Sequence, residues 1–366
     1  MKEPLVAGFG EIMLRLSPKG MLRFSQALPG ELDATFGGGE ANVCVSLANF
    51  GMMSRYLSAL PENPIADALV RELRGIGVDT ARILRAKSGR LGIYFAEAGA
   101  NQRGASVVYD RAASSIALAK PADYDFGAML ENVTWLHLTG ITPALSENAF
   151  LSTLAIAEKA AAAGIKISCD LNYRKKLWGW RQGTQQKALA RECMGAIVAL
   201  ANVIIGNEED AADVFGIHAE GADVESGRLN TGAYAEVARK LAALFPKAAK
   251  VAITLRESIS ASHNNWGAML YDTRADAAHF APLAPDGVYK PFEIRDIVDR
   301  IGGGDSFAAG LIYALNTEAL AAPDNAIAFA VAASCLKHSI SGDYNRCGAD
   351  EVLVLMKGGG SGRVSR

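Results

Sequence analysis

Three consecutive glycines followed by an acid, Gly302-Gly303-Gly304-Asp305, carry the clearest chemistry in this sequence. Glycines let the backbone turn sharply and expose successive N–H groups. A helical pattern follows, with Phe307, Gly310, Leu311 and Ala314 on one face. The amides of Gly302, Gly303 and Gly304 would then join the positive end of that helix in an anion hole. Asp305 falls at the helix start. A carboxylate beside bound phosphate is electrostatically out of place unless it has a task, and taking a proton from an attacking hydroxyl is one. The plainer reading is a tight turn with Asp305 as helix cap. A second cluster with the same layout weighs against it: Phe36-Gly37-Gly38-Gly39-Glu40-Ala41-Asn42, then a helix with Val43, Leu47 and Phe50 on one face. There Gly38 and Gly39 would admit a ligand to the backbone, with Glu40 and Asn42 bonding its hydroxyls.

Other nucleotide sites are excluded by what is missing. No Gly-Lys dipeptide occurs, so there is no P-loop. Gly8-Phe9-Gly10 follows an apolar run, but Met13 stands where a dinucleotide site needs its third glycine. Asp125-Phe126-Gly127 matches a protein-kinase tripeptide without the His-Arg-Asp loop that gives it meaning. No clustered metal-ligand spacing is present.

The elements that must position these residues alternate. Trp135–Leu138, Ile165–Cys169, Val203–Ile205 and Val251–Leu255 read as buried strands, and the glycine motif itself opens as a strand at Asp296. Asn148–Ala163, Gln182–Leu200 and Gly232–Leu244 read as amphipathic helices between strands. The pattern predicts an α/β fold, a mostly parallel sheet flanked by helices. It breaks between Arg82 and Tyr109, where Arg90–Glu97 and Ser106–Tyr109 look like a hairpin around a glycine-rich turn, suited to a lid or a dimer contact. His137, inside an apolar run, reads as a hydrogen-bonded core histidine. Lys175-Lys176 reads as solvated, and the dispersed methionines as packing residues.

A chain of 366 residues, half of them hydrophobic, can bury a large core. Its net charge of −2 gives no field for nucleic acid or an anionic membrane, which points to a small-molecule partner. Five scattered cysteines suggest free thiols in a reducing compartment. The apolar start Leu5–Phe9 is too short for a signal peptide, and no run is long enough to span a bilayer, so a cytoplasmic location is expected.

The two glycine clusters, together with Val298-Asp299-Arg300-Ile301 before the second, resemble the paired signatures of the ribokinase-like (PfkB) carbohydrate kinases. The likeness runs from about Leu5 to Met356. Asp170-Leu171-Asn172-Tyr173-Arg174 is similar to that family's Asp-x-Asn-x-Arg stretch, and Asn207-Glu208-Glu209-Asp210 to its Asn-x-x-Glu element, with Asp210 in the glutamate's place. Gly303 stands where alanine is usual, and Thr254–Ser258 has none of the glycines common in the family's ATP loop. Leu91–Tyr94, Val108–Arg111, Thr139–Leu145 and Asn172–Trp178 look most like the family's 2-keto-3-deoxygluconate kinases.

The resemblance implies one ribokinase-like domain over residues 1–356, with β-lid segments at about 12–36 and 82–112 and a flexible tail at 357–366. It implies ATP with Mg2+, transfer to the sugar's 6-hydroxyl with Asp305 as base, and dimerisation through the lids. Substrate contacts are expected from Gly38, Gly39, Glu40, Asn42, Tyr94, Tyr109, Arg111, Arg174 and Asp305. Nucleotide contacts are expected from Asn172, Arg174, Asn207, Leu255, Arg256, Gly302 and Gly304, and metal contacts from Glu209 and Asp210, through water. Arg174 read alone fits an arginine bonding carbonyls at a helix start better than a ligand contact, and Tyr94 could equally pack across strands. Asp170 fits either a strand-end turn or a water-bridged magnesium. Fructose, ribose, a nucleoside or another keto-sugar acid are alternative substrates. A silent sugar-binding regulator is the rival from outside enzymology, against which an intact base argues.

Overall fold

Strands of continuous apolar character form the centre because both their faces are covered. The computed structural model describes residues 3–218 and 231–359. Its main sheet has the order Ala277–Ala281, His263–Asp272, Lys250–Ser260, Val203–Asn207, Lys166–Asp170, Trp135–Thr139, Leu5–Phe9, Met53–Leu57, with Phe292–Ile294 also paired to His263–Asp272. From Met53–Leu57 to Lys250–Ser260 every pairing is parallel, and the remainder are antiparallel. Successive residues point to opposite faces, as the pleat requires. Leu136, Val251 and Ile253 enter one core with helices Glu147–Ala162 and Gln186–Val198. Trp135, Ala252 and Val203 enter the other with helices Gly303–Leu315 and Pro323–Lys337.

The parallel strands end in register, Thr139 beside Asp170 and Asn207 beside Thr254. The segments that follow them therefore gather at one edge, where ligands of open α/β sheets bind. Above this edge stands a second sheet of four strands, in the order Asp33–Gly37, Met13–Ser17, Gly92–Glu97, Ser106–Asp110. Its pairing puts Arg15 beside Tyr94 and Tyr94 beside Tyr109 on one face, and Leu16, Phe95 and Val108 on the other.

Two readings change. The segment before the glycine turn is not a strand: pairing ends at Ile294, and Asp296 has a left-handed φ of 55°. Thr254–Ser258 is not a loop but the middle of strand Lys250–Ser260, hydrogen-bonded to His263–Asp272, which removes any need for glycine there. Of the tail read as flexible, residues 360–366 lie outside the described residues. His137 is buried and bonded through Nδ1 to Ser168 Oγ at 2.9 Å. All five cysteines are free. Among the described residues no helix is long and apolar enough to cross a membrane.

Candidate active site

Gly302 starts the site by allowing a turn no other residue would make easily. Its φ is 83°, and a side-chain carbon there would sit 2.0 Å from the Asp343 carbonyl oxygen. The chain then enters helix Gly303–Leu315, whose first hydrogen bond runs from Ser306 N–H to Gly302 C=O. The amides of Gly304 and Asp305 precede that bond and have no helical acceptor. The Gly303 amide is already committed to the Arg300 carbonyl at 3.3 Å, and its α-carbon faces His338. The expected three-amide hole is thus narrower: Gly302 and Gly304 line the cleft and Gly303 does not.

The second glycine cluster meets the first. Gly38 packs so tightly against the Glu11–Ile12 backbone that a side-chain carbon would fall 2.1 Å from the Glu11 carbonyl oxygen. The next residue, Gly39, begins helix Gly39–Asn49 and would hold a side chain 3.5 Å from Asp305 Oδ1. Three residues further on, Asn42 Nδ2 donates to Asp305 Oδ2 at 2.7 Å. Burial pushes the Asp305 carboxyl up to about 6, with Asp343 adding to the rise and the Asn42 hydrogen bond, Arg174 and Lys337 opposing it. That is a value suited to a base working near neutrality.

Around Asp305 opens a cavity of about 470 Å³. Gly38, Gly39, Asn42, Tyr94, Tyr109, Arg111, Asn172, Arg174, Asn207, Glu209, Asp210 and Arg256 all line it. Glu40 does not. It is buried, and Oε1 accepts from the Thr139 amide and hydroxyl and the Thr142 hydroxyl at 3.2, 2.8 and 3.2 Å. Through these hydrogen bonds it braces the loop after strand Trp135–Thr139, and burial raises its pKa to about 7. The Leu255 side chain does not reach the cleft either: strand alternation turns it into the core, while its neighbours Thr254 and Arg256 face the cleft.

Charge is distributed unevenly along the cleft. Under the second sheet, Arg111 is buried against Glu11, with Nε 2.8 Å from Oε2 and Nη2 on the same oxygen. Its guanidinium also lies 5.2 Å from the centre of the Tyr109 ring. Arg174 is exposed and, among the described residues, bonded only to the Tyr173 carbonyl at 3.2 Å. At the ends of the central strands, burial and the neighbouring Asp210 and Asp305 raise the Asp170 carboxyl far above the carboxylate range. Both Asp210 oxygens are used by the scaffold, accepting from Tyr173 N–H at 2.9 Å and Asn207 N–H at 3.1 Å. No ready-made cluster of three metal ligands occurs among the described residues. Beside the glycine turn, Arg300 bonds the carbonyls of Ser260 and Ala261 and faces the exposed Arg256.

Sequence reasoning missed the clamp between the two sheets. Arg15 Nη2 pairs with Asp299 Oδ2 at 2.7 Å, and Nη1 with Asp343 Oδ1 at 2.9 Å. The Tyr94 hydroxyl donates to Asp343 at 2.6 Å. Asp299 accepts in turn from the amides of Ile301 and Gly342. Asp299 sits inside the glycine motif and could have been singled out; Arg15 and Asp343 carry no local signal.

The sequence pattern of the pfkB family carbohydrate kinases matches residues 5–256, ending before the second glycine turn. The crystal structure of 2-dehydro-3-deoxygluconokinase from Thermotoga maritima is 40% identical, with a TM-score of 0.86, over 97% of this chain and all of that one. A 2-dehydro-3-deoxygalactonokinase from Haloferax volcanii is 28% identical over 97% of both chains. A 2-dehydro-3-deoxygluconokinase from Bacillus subtilis is 27% identical over 75% of this chain and 72% of its own. With two glycine turns converging on one carboxylate at the strand ends of an α/β sheet, this chain belongs to the pfkB family of carbohydrate kinases.

Proposed function

We propose that the chain transfers the γ-phosphate of ATP to the 6-hydroxyl of 2-keto-3-deoxygluconate, giving the 6-phospho sugar acid. The observation that carries this reading is Asp305, held by Asn42 where the two glycine turns meet. The substrate hydroxyl gives its proton to an Asp305 carboxylate oxygen as its own oxygen bonds to phosphorus. The bond from phosphorus to the ADP oxygen breaks in the same displacement. The amides of Gly304 and Asp305, which have no helical acceptor, would meet the charge that develops on the phosphoryl oxygens, with Gly302 lining the cleft beside them. Arg256, Asn172, Asn207 and Arg174 line the same cleft as candidates for the nucleotide.

The donor set suits Mg2+, which favours one or two carboxylates, retained waters and phosphate oxygens over an all-protein cage. Asp170, with Glu209 and Asp210 behind water, would hold it, and the bound ion would neutralise phosphate charge. Asp170 accepts one backbone hydrogen bond, from Asn172 at 3.1 Å, and so keeps capacity for such a water.

The sugar acid is supported by the relatives' names and by two cations that line the cleft, Arg111 and Arg174. A carboxylate enclosed under the second sheet needs a matched cation. Among the described residues Arg174 has no acidic partner in direct contact, and Arg111 is aimed rigidly by Glu11. A panel of keto-deoxy sugar acids, fructose and ribose with coupled ADP detection tests this. kcat/KM should be highest on 2-keto-3-deoxygluconate. Arg111→Ala should cost about 2–5 kcal/mol on the acid and far less on neutral sugars. Faster turnover of fructose or ribose, or equal losses on both classes, overturns the assignment.

A further inference from the structure

Lys337 is the one lysine whose side chain is wholly buried among the described residues. It ends helix Pro323–Lys337, and its Nζ donates to the Ile340 carbonyl at 3.0 Å. Among the described residues it touches no carboxylate, although Asp299, Asp343 and Asp305 surround it at longer range, with Arg15 as the opposing cation. Burying an ammonium on one carbonyl is costly, and a fold seldom keeps such a group without a use for its charge. Its place suggests the use. A side-chain carbon at Gly302 would lie 3.3 Å from Lys337 Cε, so the lysine stem runs directly beneath the anion-binding turn. The same helix end supports the rest of the turn: the Ser334 hydroxyl donates to the Gly303 carbonyl at 2.7 Å, and the His338 carbonyl accepts from Val298 N–H at 2.9 Å.

We propose that Lys337 is a positioning residue for phosphoryl transfer, a built-in cation that backs the glycine turn with positive charge and holds the 337–343 loop against it. The inference rests on the kinase reading above. A positive charge fixed in a water-poor interior favours the anionic transition state without touching it, because the surroundings screen it weakly.

The test compares Lys337→Met with Lys337→Gln, which keeps a donor for the Ile340 carbonyl and loses the charge. Wild-type turnover of the sugar acid is measured first; if it is absent, the kinase reading fails and this inference is not what failed. With an active wild type, both folded variants should lose roughly tenfold or more in kcat, below the 10²–10³-fold of a direct oxyanion donor. KM for the sugar should stay within about threefold. Ammonium ion, but not tetramethylammonium, should restore part of kcat in Lys337→Ala. Full kcat in Lys337→Gln would show that the hydrogen bond alone matters and overturn the charge assignment. So would a kcat loss that ammonium leaves untouched, or the failure of both variants to fold, which would make Lys337 a stability element only.

Discussion

Asp305 is poised between two influences of opposite sign. Burial raises its pKa to about 6, and the Asn42 hydrogen bond restrains the rise by favouring the charged form. Because the folded-state value lies above the unfolded one, the native state binds this proton more tightly between about pH 4 and 6. Its contribution to stability is therefore present at acid pH and lost as pH rises through 6. Asp305→Asn should then do two things at neutral pH. It should lower kcat by about 10²–10⁴-fold while ATP binding, read by calorimetry, persists. It should also stabilise the fold slightly, by about 1 kcal/mol, because the amide carries no charge to desolvate at the partly open cleft. The wild-type rate should fall below pH 6 with a single acid limb. Near-normal kcat in the variant, or a limb well away from 6, would remove Asp305 from the role of base.

At the scale of elements, the clamp joining the second sheet to the glycine turn is the contact on which geometry depends. Arg15 leaves strand Met13–Ser17 and bridges Asp299, before the turn, to Asp343, in the loop beneath it. Desolvation raises the Asp343 carboxyl, and Arg15 is the main force opposing that rise. Removing the guanidinium strands the buried Asp343 carboxylate and leaves the half-buried Asp299 to its backbone amides, and breaking a buried pair costs about 3–5 kcal/mol. Arg15→Ala should show this as a lowered urea midpoint. In the fraction that remains folded, sugar KM should rise more than ATP KM if Tyr94 and Tyr109, which belong to the same sheet and line the cleft, meet the sugar as proposed. An unchanged midpoint with unchanged KM values would mean that the clamp is ornamental.

At the scale of the whole molecule, the second sheet has two unlike faces. The cleft face carries Arg15, Tyr94 and Tyr109, whereas the outer face carries Leu16, Phe95 and Val108, with Val108 55% exposed. An apolar outer face on a sheet four strands wide suits pairing of two copies through this sheet. We expect a dimer by light scattering, and a monomer with raised sugar KM for Val108→Asp. A wild-type monomer at micromolar concentration would refute the pairing.

Much of this was legible in the sequence because it is local. A glycine run followed by an acid and a helical face encodes its own turn, and alternating apolar runs encode a layered sheet whatever their order. The carboxylate at Asp305, the turns at Gly38 and Gly302 and the strand ends at Asn172 and Asn207 follow from neighbours within a few residues. What the tertiary structure decided is which side chains spend themselves on the scaffold. Glu40 and Asn42 are two residues apart, yet one braces Thr139 and the other reaches Asp305, because successive helical positions differ by about 100°. Leu255 and Arg256 part for the corresponding reason in a strand. The partners of Arg15 lie 284 and 328 residues away, 299 − 15 and 343 − 15, and those of Arg111 lie 100 away. No periodicity encodes such distances; they exist only once the chain is folded and burial forces each charge to find its counterpart.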